Sequence, residues 1–153
     1  MRYAVATLAV ATSVFVAPVS AQDPAKQVEE LRVTLKSEKV AERAAAARIL
    51  GELGPVAKDA VPDLASALGD ADREVRRSAA RSLGDIGPGA KEGVLSLVKA
   101  LKDPEWQVRQ AAAYALGRIG RPEAKSALEA AKKDTNDNVK RAAKDALKAL
   151  KKS

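Results

Sequence analysis

From residue 28 onward the apolar positions fall at helical spacing, and the arrangement recurs along the chain. Val75, Ala79, Leu83 and Ile86 step by four, four and three residues; at about 100° per residue they share one helix face. Val108-Ala112-Leu116-Ile119 and Val139-Ala143-Leu147-Leu150 repeat the stripe. The first copy has Glu42 in the leading place, then Ala46, Leu50 and Leu53, and Val40 is expected to supply the missing packing. Shorter apolar sets precede the later stripes: Val61-Leu64-Ala65-Leu68, Val94-Leu97-Val98-Leu101 and a weaker Ala124-Leu128-Ala131. No alternating apolar–polar run appears, so little or no strand is expected. The pattern predicts an all-α chain of helix pairs, one short and one long.

Polar and conformationally special residues punctuate these pairs. Ser37, Asp70, Asp103 and Asp134 stand before the long helices; a short oxygen-bearing side chain there can cap the free N–H groups of a first turn. Pro104 follows Asp103 at a place where a starting helix tolerates proline. Gly54, Gly87 and Gly120 are expected to end the long helices in a left-handed conformation, and Pro55 and Pro88 to prevent their continuation. Ala46, Ala79, Ala112 and Ala143 hold equivalent places, where small side chains let helix axes approach.

Residues 57–89 laid over 90–122 without a gap give 15 identities in 33 positions. Self-similarity at that period is the mark of a solenoid. The period divides the chain into units of about 24–56, 57–89, 90–122 and 123–153.

The first 21 residues read as an export signal. Arg2 gives a positive start, Ala4 to Val16 is mostly apolar, and Val19-Ser20-Ala21 offers compact residues for cleavage after Ala21. As an anchor the apolar stretch is short: 13 residues at ~1.5 Å each span about 20 Å, against roughly 30 Å of hydrocarbon. Cleavage leaves 132 residues, four periods of 33, as a domain expected in the periplasm or outside the cell with no membrane span.

Composition then narrows the chemistry. With no His and no Cys, the chain lacks a Ser-His-Asp or Cys-His nucleophile system, the usual zinc ligands and disulfides. The Asp70-to-Glu74 and Asp134-to-Asn138 stretches resemble the opening of a calcium loop, but Val75 and Val139 stand where that loop needs Gly. The glycines of 84–89 follow a helix instead of leading into one, so they suit a stop and not a phosphate cradle. No cofactor or metal is expected.

The spaced motif of Asp70, Val75, Arg76, Ala79-Ala80 and Leu83-Gly84, recurring at Asp103, Val108, Arg109, Ala112-Ala113 and Leu116-Gly117, resembles the HEAT repeat, in the short form of the phycobilisome lyases. The resemblance implies a right-handed α-solenoid of about four antiparallel helix pairs, with the shorter helices lining a concave face. It also implies a ladder in which Asp70, Asp103 and Asp134 pair with Arg43, Arg76, Arg109 and Lys140 of neighbouring units.

Several residues are candidates for contact with a partner. Trp106 and Tyr114 are the aromatic residues left after signal removal, at positions occupied elsewhere by Arg73 and Arg81; an aromatic can anchor a contact or pack over a neighbouring helix. Asp63, Ser66, Ser96 and Lys99 are outward positions of the short helices, where a concave-face partner would touch. Lys140, Lys144, Lys148 and Lys151 belong to a basic last unit whose residues 132–152 carry a net +5 of the chain's +7. That unit reads as a patch for an anionic surface or as the polar cap a solenoid's last repeat needs. Nucleic acid is disfavoured by export and by the lack of an aromatic stacking set.

Function is expected to be that of an exported, non-enzymatic scaffold or adaptor for an envelope or extracellular protein. The alternatives are a bilin-lyase-like enzyme or accessory subunit, and an electrostatic binder acting through the basic unit. Deoxyhypusine hydroxylase, built of similar repeats, relies on His and Glu ligands for iron, and this chain has no His.

Overall fold

A computed structural model describes residues 23–152; the export-signal reading lies outside the described residues. Four short helices alternate with four long ones. The short are α1 (Pro24–Thr34), α3 (Val61–Ala67), α5 (Val94–Ala100) and α7 (Lys125–Ala131). The long are α2 (Val40–Leu53), α4 (Arg73–Ile86), α6 (Trp106–Ile119) and α8 (Asp137–Leu150). No strand occurs among the described residues. The fold is an α-solenoid, and its core is a column of aliphatic side chains between the two rows, with Leu50, Leu64, Leu83, Leu97, Leu116 and Leu128 fully buried. Each is an expected stripe position, and burying one is worth roughly 1.5–3 kcal/mol.

The long helices start two residues later than the punctuation suggests. Asp70, Asp103 and Asp134 do not cap; each accepts the N–H two residues on, at 2.8–2.9 Å, and folds the preceding turn. Asp72 and Asn136 cap α4 and α8. Pro104 accordingly lies in the turn before α6. Asx side chains mimic a backbone turn as readily as they cap, which is why the sequence alone misplaces the start.

Val40 does not fill the place of the missing valine. It is exposed, and Glu42 is accommodated instead by accepting from Ser37 Oγ at 2.5 Å and Lys39 Nζ at 2.9 Å. Those hydrogen bonds, Ser37's first, hold the Glu42 carboxyl below its usual range.

Gly54, Gly87 and Gly120 all have positive φ, +57°, +75° and +74°. Only Gly120, with ψ of +26°, is left-handed as expected; Gly54 and Gly87 have ψ of −135° and −141°, an extended conformation at positive φ that essentially only glycine adopts. After Gly54 and Gly87 the chain does not pass into an open loop. It winds through 3₁₀ turns over Gly54–Ala60 and Gly87–Gly93, each broken by a kink at Ala57 or Ala90 and with proline in its first turn, and a shorter 3₁₀ turn spans Pro122–Ala124. Proline stops the α-helix but its fixed φ suits the first turn of a new one.

The two rows pack differently. The long helices run shoulder to shoulder, α2 on α4, α4 on α6 and α6 on α8, whereas the short helices touch one another sparsely. Glycines set the spacing: a Cβ on Gly84 would lie 2.8 Å from Ala115 Cα, and one on Gly117 would lie 2.7 Å from Ala146 Cα. At the first contact Gly51 faces Ser82, whose buried hydroxyl donates to Ala47 O at 2.6 Å.

Candidate functional site: a groove across the long helices

A row of helices packed this closely occupies the inside of a curved stack, and there a groove of about 950 Å³ crosses α2, α4, α6 and α8. The expectation that the shorter helices line the concave face is therefore corrected. The 3₁₀ segments pack on the short helices, Gly54–Ala60 on α1 and α3 and Gly87–Gly93 on α3 and α5, and keep that row apart, while the groove lies on the long-helix side.

The repeat turns the groove floor into rows that run across the helices, one turn apart. Arg77, Gln110 and Arg141 form one; Arg48, Arg81, Tyr114 and Asp145 the next; Glu52, Asp85, Arg118 and Ala149 the third. Trp106 and Gln107 close the end at the first turn of α6. Trp106 and Tyr114 are both half-buried residues that line the groove, and the Tyr114 ring lies against Gly84 of α4. The Tyr114 hydroxyl donates to Asp85 at 2.9 Å, and the Arg81 guanidinium sits 5.4 Å from its ring centroid. Burial, reinforced by the bond to Asp85, raises the Tyr114 phenol above its ordinary pKa.

The other candidates lie elsewhere. The carboxylate of Asp63 is held by Arg32 Nε at 2.6 Å and Lys36 Nζ at 3.4 Å, an ion pair between α1 and α3 and not an open contact position. Ser66 and Lys99 are exposed and Ser96 half-buried, all on the short helices away from the groove. Lys144, Lys148 and Lys151 are exposed on the last unit, where Lys148 reaches Asp145 at 3.5 Å.

The ladder forms three rungs. Arg43, Arg76 and Arg109 each hold the Asp of the next unit, Asp70, Asp103 and Asp134, through Nε at 2.7–2.8 Å and Nη2 at 3.0–3.1 Å. Nη1 of the same guanidinium donates to two carbonyls of its own inter-helix turn, such as Asp70 O and Ala71 O for Arg76. Lys140 is not a member. Its Nζ turns back to Asp137 at 2.9 Å, and an ammonium lacks the fork that binds two groups at once. The Arg43 and Arg109 hydrogen bonds hold the Asp70 and Asp134 carboxyls below the usual range.

Arg77, Arg81, Gln107, Gln110 and Arg118 were not singled out by the sequence as contact residues, and Arg141 entered only as one charge of the basic last unit. The signal was present as polar positions recurring at fixed offsets in the long helices, but it gains meaning only once that row is known to face the groove. Among the described residues no group of three or more His, Cys, Asp or Glu is placed to hold a metal, and no helix is long and apolar enough to cross a membrane.

Similarity to known proteins bears on the fold. No curated protein matches the chain. Among solved structures, an engineered protein is 29% identical with a TM-score of 0.69, covering 80% of this chain and 62% of its own. Human deoxyhypusine hydroxylase is 28% identical with a TM-score of 0.70, covering 89% of this chain and 46% of its own. The chain thus spans less than two thirds of the length of either. The CpcE–CpcF phycocyanin lyase complex of Nostoc sp. is 21% identical with a TM-score of 0.65, over 80% of this chain and 85% of that one, and shares the fold. The model for HEAT repeats matches residues 28–96 and 88–148, overlapping segments that together take in both central units and all three ladder rungs. The chain belongs to the HEAT-repeat family.

Proposed function

We propose that the protein is an exported, non-enzymatic scaffold that binds another protein of the envelope or extracellular space in the long-helix groove. The observation that carries this reading is the groove itself: an open channel of about 950 Å³ floored by recurring polar side chains, with the two aromatics of the described chain brought to its edge. Tyr and Trp are enriched among the residues that anchor protein contacts. Export rests on the character of residues 1–21, and the absence of His and Cys from the sequence removes the commonest catalytic groups. The basic last unit fits a cap, because Lys144 and Lys148 stand where Ala113 and Gly117 of the preceding unit meet a successor, and both are exposed.

The test is a pull-down from the envelope fraction with residues 22–153, repeated with Trp106→Ala and with Lys144, Lys148 and Lys151 changed to Ser. Loss of a discrete protein only with Trp106→Ala supports the groove. Loss only with the neutralised lysines replaces this reading with an anionic-surface binder.

A further inference from the structure

Charges on the groove floor are not balanced group by group. Its three carboxylates each have a cation nearby: Glu52 is paired with Arg48, Asp85 with Arg81 at 3.7 Å, and Asp145 with Lys148 at 3.5 Å. Arg118 and Arg141 are exposed, and neither comes within ion-pair distance of a carboxylate among the described residues. Both belong to the end of the groove formed by α6 and α8, the end that also holds Trp106 and Tyr114. The spare charge of the groove is therefore positive and sits beside its aromatic residues. Next to them the side-chain oxygen Oε1 of Gln107 is buried without a hydrogen-bond partner; a buried acceptor of that kind gains from any N–H brought to it.

We infer that the groove takes an extended acidic segment of a partner protein, with carboxylates on Arg118 and Arg141, an apolar side chain between them on Tyr114, and Trp106 one turn beyond the level of Arg141 at the end of the segment. The inference rests on the groove being the binding face and adds the chemistry of what fills it. The spacing follows from the helices. Arg118 is twelve residues into α6 and Arg141 four into α8, so their backbones differ by about 12 Å along the axes and by one helix spacing of roughly 8–10 Å across them. An extended chain rising ~3.3 Å per residue covers that diagonal in about four or five residues. Two acidic residues at that separation, flanking an aromatic or branched aliphatic one, match the site. Guanidinium forks favour carboxylates over other acceptors of one charge. A basic segment would meet uncompensated arginines, and the carboxylates it needs are already occupied.

Trp106 is the chain's one tryptophan and reports on the groove directly. The experiment is a fluorescence titration of residues 22–153 with an alanine-based octapeptide bearing two glutamates five residues apart around a phenylalanine. The same peptide with lysine for glutamate and vesicles of phosphatidylglycerol form the other arms. The expected result is a saturable change with the acidic peptide, at least tenfold weaker for the lysine peptide. Affinity should fall at least tenfold in R118E/R141E and stay within twofold in K144S/K151S, whose lysines pair with no groove carboxylate, and R118E/R141E should now prefer the lysine peptide. Both arginines are exposed and unpaired, so these exchanges leave the fold intact, as far-ultraviolet circular dichroism would show. Equal or stronger binding of the lysine peptide to the unmodified protein overturns the acidic assignment while leaving the groove as a protein-binding face. A response to vesicles alone, loss of acidic-peptide binding in the lysine variant, or no response to the acidic peptide overturns it as well.

Discussion

Gly84 faces Ala115 across the α4–α6 contact so closely that a methyl group placed on it would lie 2.8 Å from the Ala115 Cα. Two preferences oppose each other at such a residue. Alanine is the better helix former by about 1 kcal/mol, yet its Cβ would press on backbone, which cannot swing aside as a flexible side chain can. Overpacking costs typically 1–3 kcal/mol. Gly84→Ala and Gly117→Ala are therefore expected to lower the melting temperature, although substitution within an isolated helix would raise helicity. Thermal melts of the two variants check this; unchanged or raised melting would mean that the long helices stand further apart.

The Arg–Asp rungs make stability depend on acid in a defined direction. Hydrogen bonds from Arg43 and Arg109 depress the Asp70 and Asp134 carboxyls in the folded chain. A carboxyl whose folded pKa lies below the unfolded value of about 3.9 contributes stability that is complete above that value and is lost as pH falls through the folded one. Melting temperature should thus drop below about pH 4, and the Asp70→Asn/Asp134→Asn double variant should show a shallower drop over that window. At pH 7, Asp134→Asn should cost roughly 1–3 kcal/mol, because the Arg109 guanidinium, with about 15% of its side chain exposed, loses its charged partner. Denaturant titration at the two pH values measures both effects.

The core stripe and the groove should respond separately. Leu83→Ala opens a cavity at a fully buried position and should cost about 2–5 kcal/mol. Tyr114→Phe removes only the hydrogen bond to Asp85 and should cost about 0.5–1.5 kcal/mol. Tyr114→Phe keeps the ring, so it should retain partner capture, whereas Trp106→Ala should lose capture with little change in melting. A parallel loss of melting and capture in Trp106→Ala would make that side chain structural.

Neutralising the basic last unit tests its reading as a cap. Lys144→Ala/Lys148→Ala leaves small residues like those that meet a successor in other units, and should favour self-association without lowering the melting temperature. Sedimentation at low and high protein concentration reads the change; a variant that stays monomeric would leave the lysines without a capping role.

Much of this architecture can be read from the residues, and the reasons are local. The 33-residue period, the Val75-to-Ile86 stripe and the positive φ of Gly54, Gly87 and Gly120 each follow from the chemistry of one short segment. What could not be read depends on relations between segments. The side on which the groove opens is set by how closely Gly51, Gly84 and Gly117 admit the next long helix, and the engagement of Asp63 is set by Arg32 of the preceding unit. Gly84 and Gly117 recur in the sequence motif, but that they face Ala115 and Ala146 is seen only in the folded chain, and the sense of curvature is decided by both rows together. Likewise, nothing in the Asp70 side chain tells a cap from an Asx turn until the backbone of Asp72 is in place.

Site-directed photocrosslinking tests most directly which face binds protein. A photoreactive residue replaces Gln110 on the groove floor or Leu95, which is 74% exposed on the short-helix row, and cells producing each variant are irradiated. A discrete adduct of higher mass from position 110 and none from position 95 is the predicted result. An adduct from position 95 alone, or from neither, would contradict the assignment of the long-helix groove as the binding face.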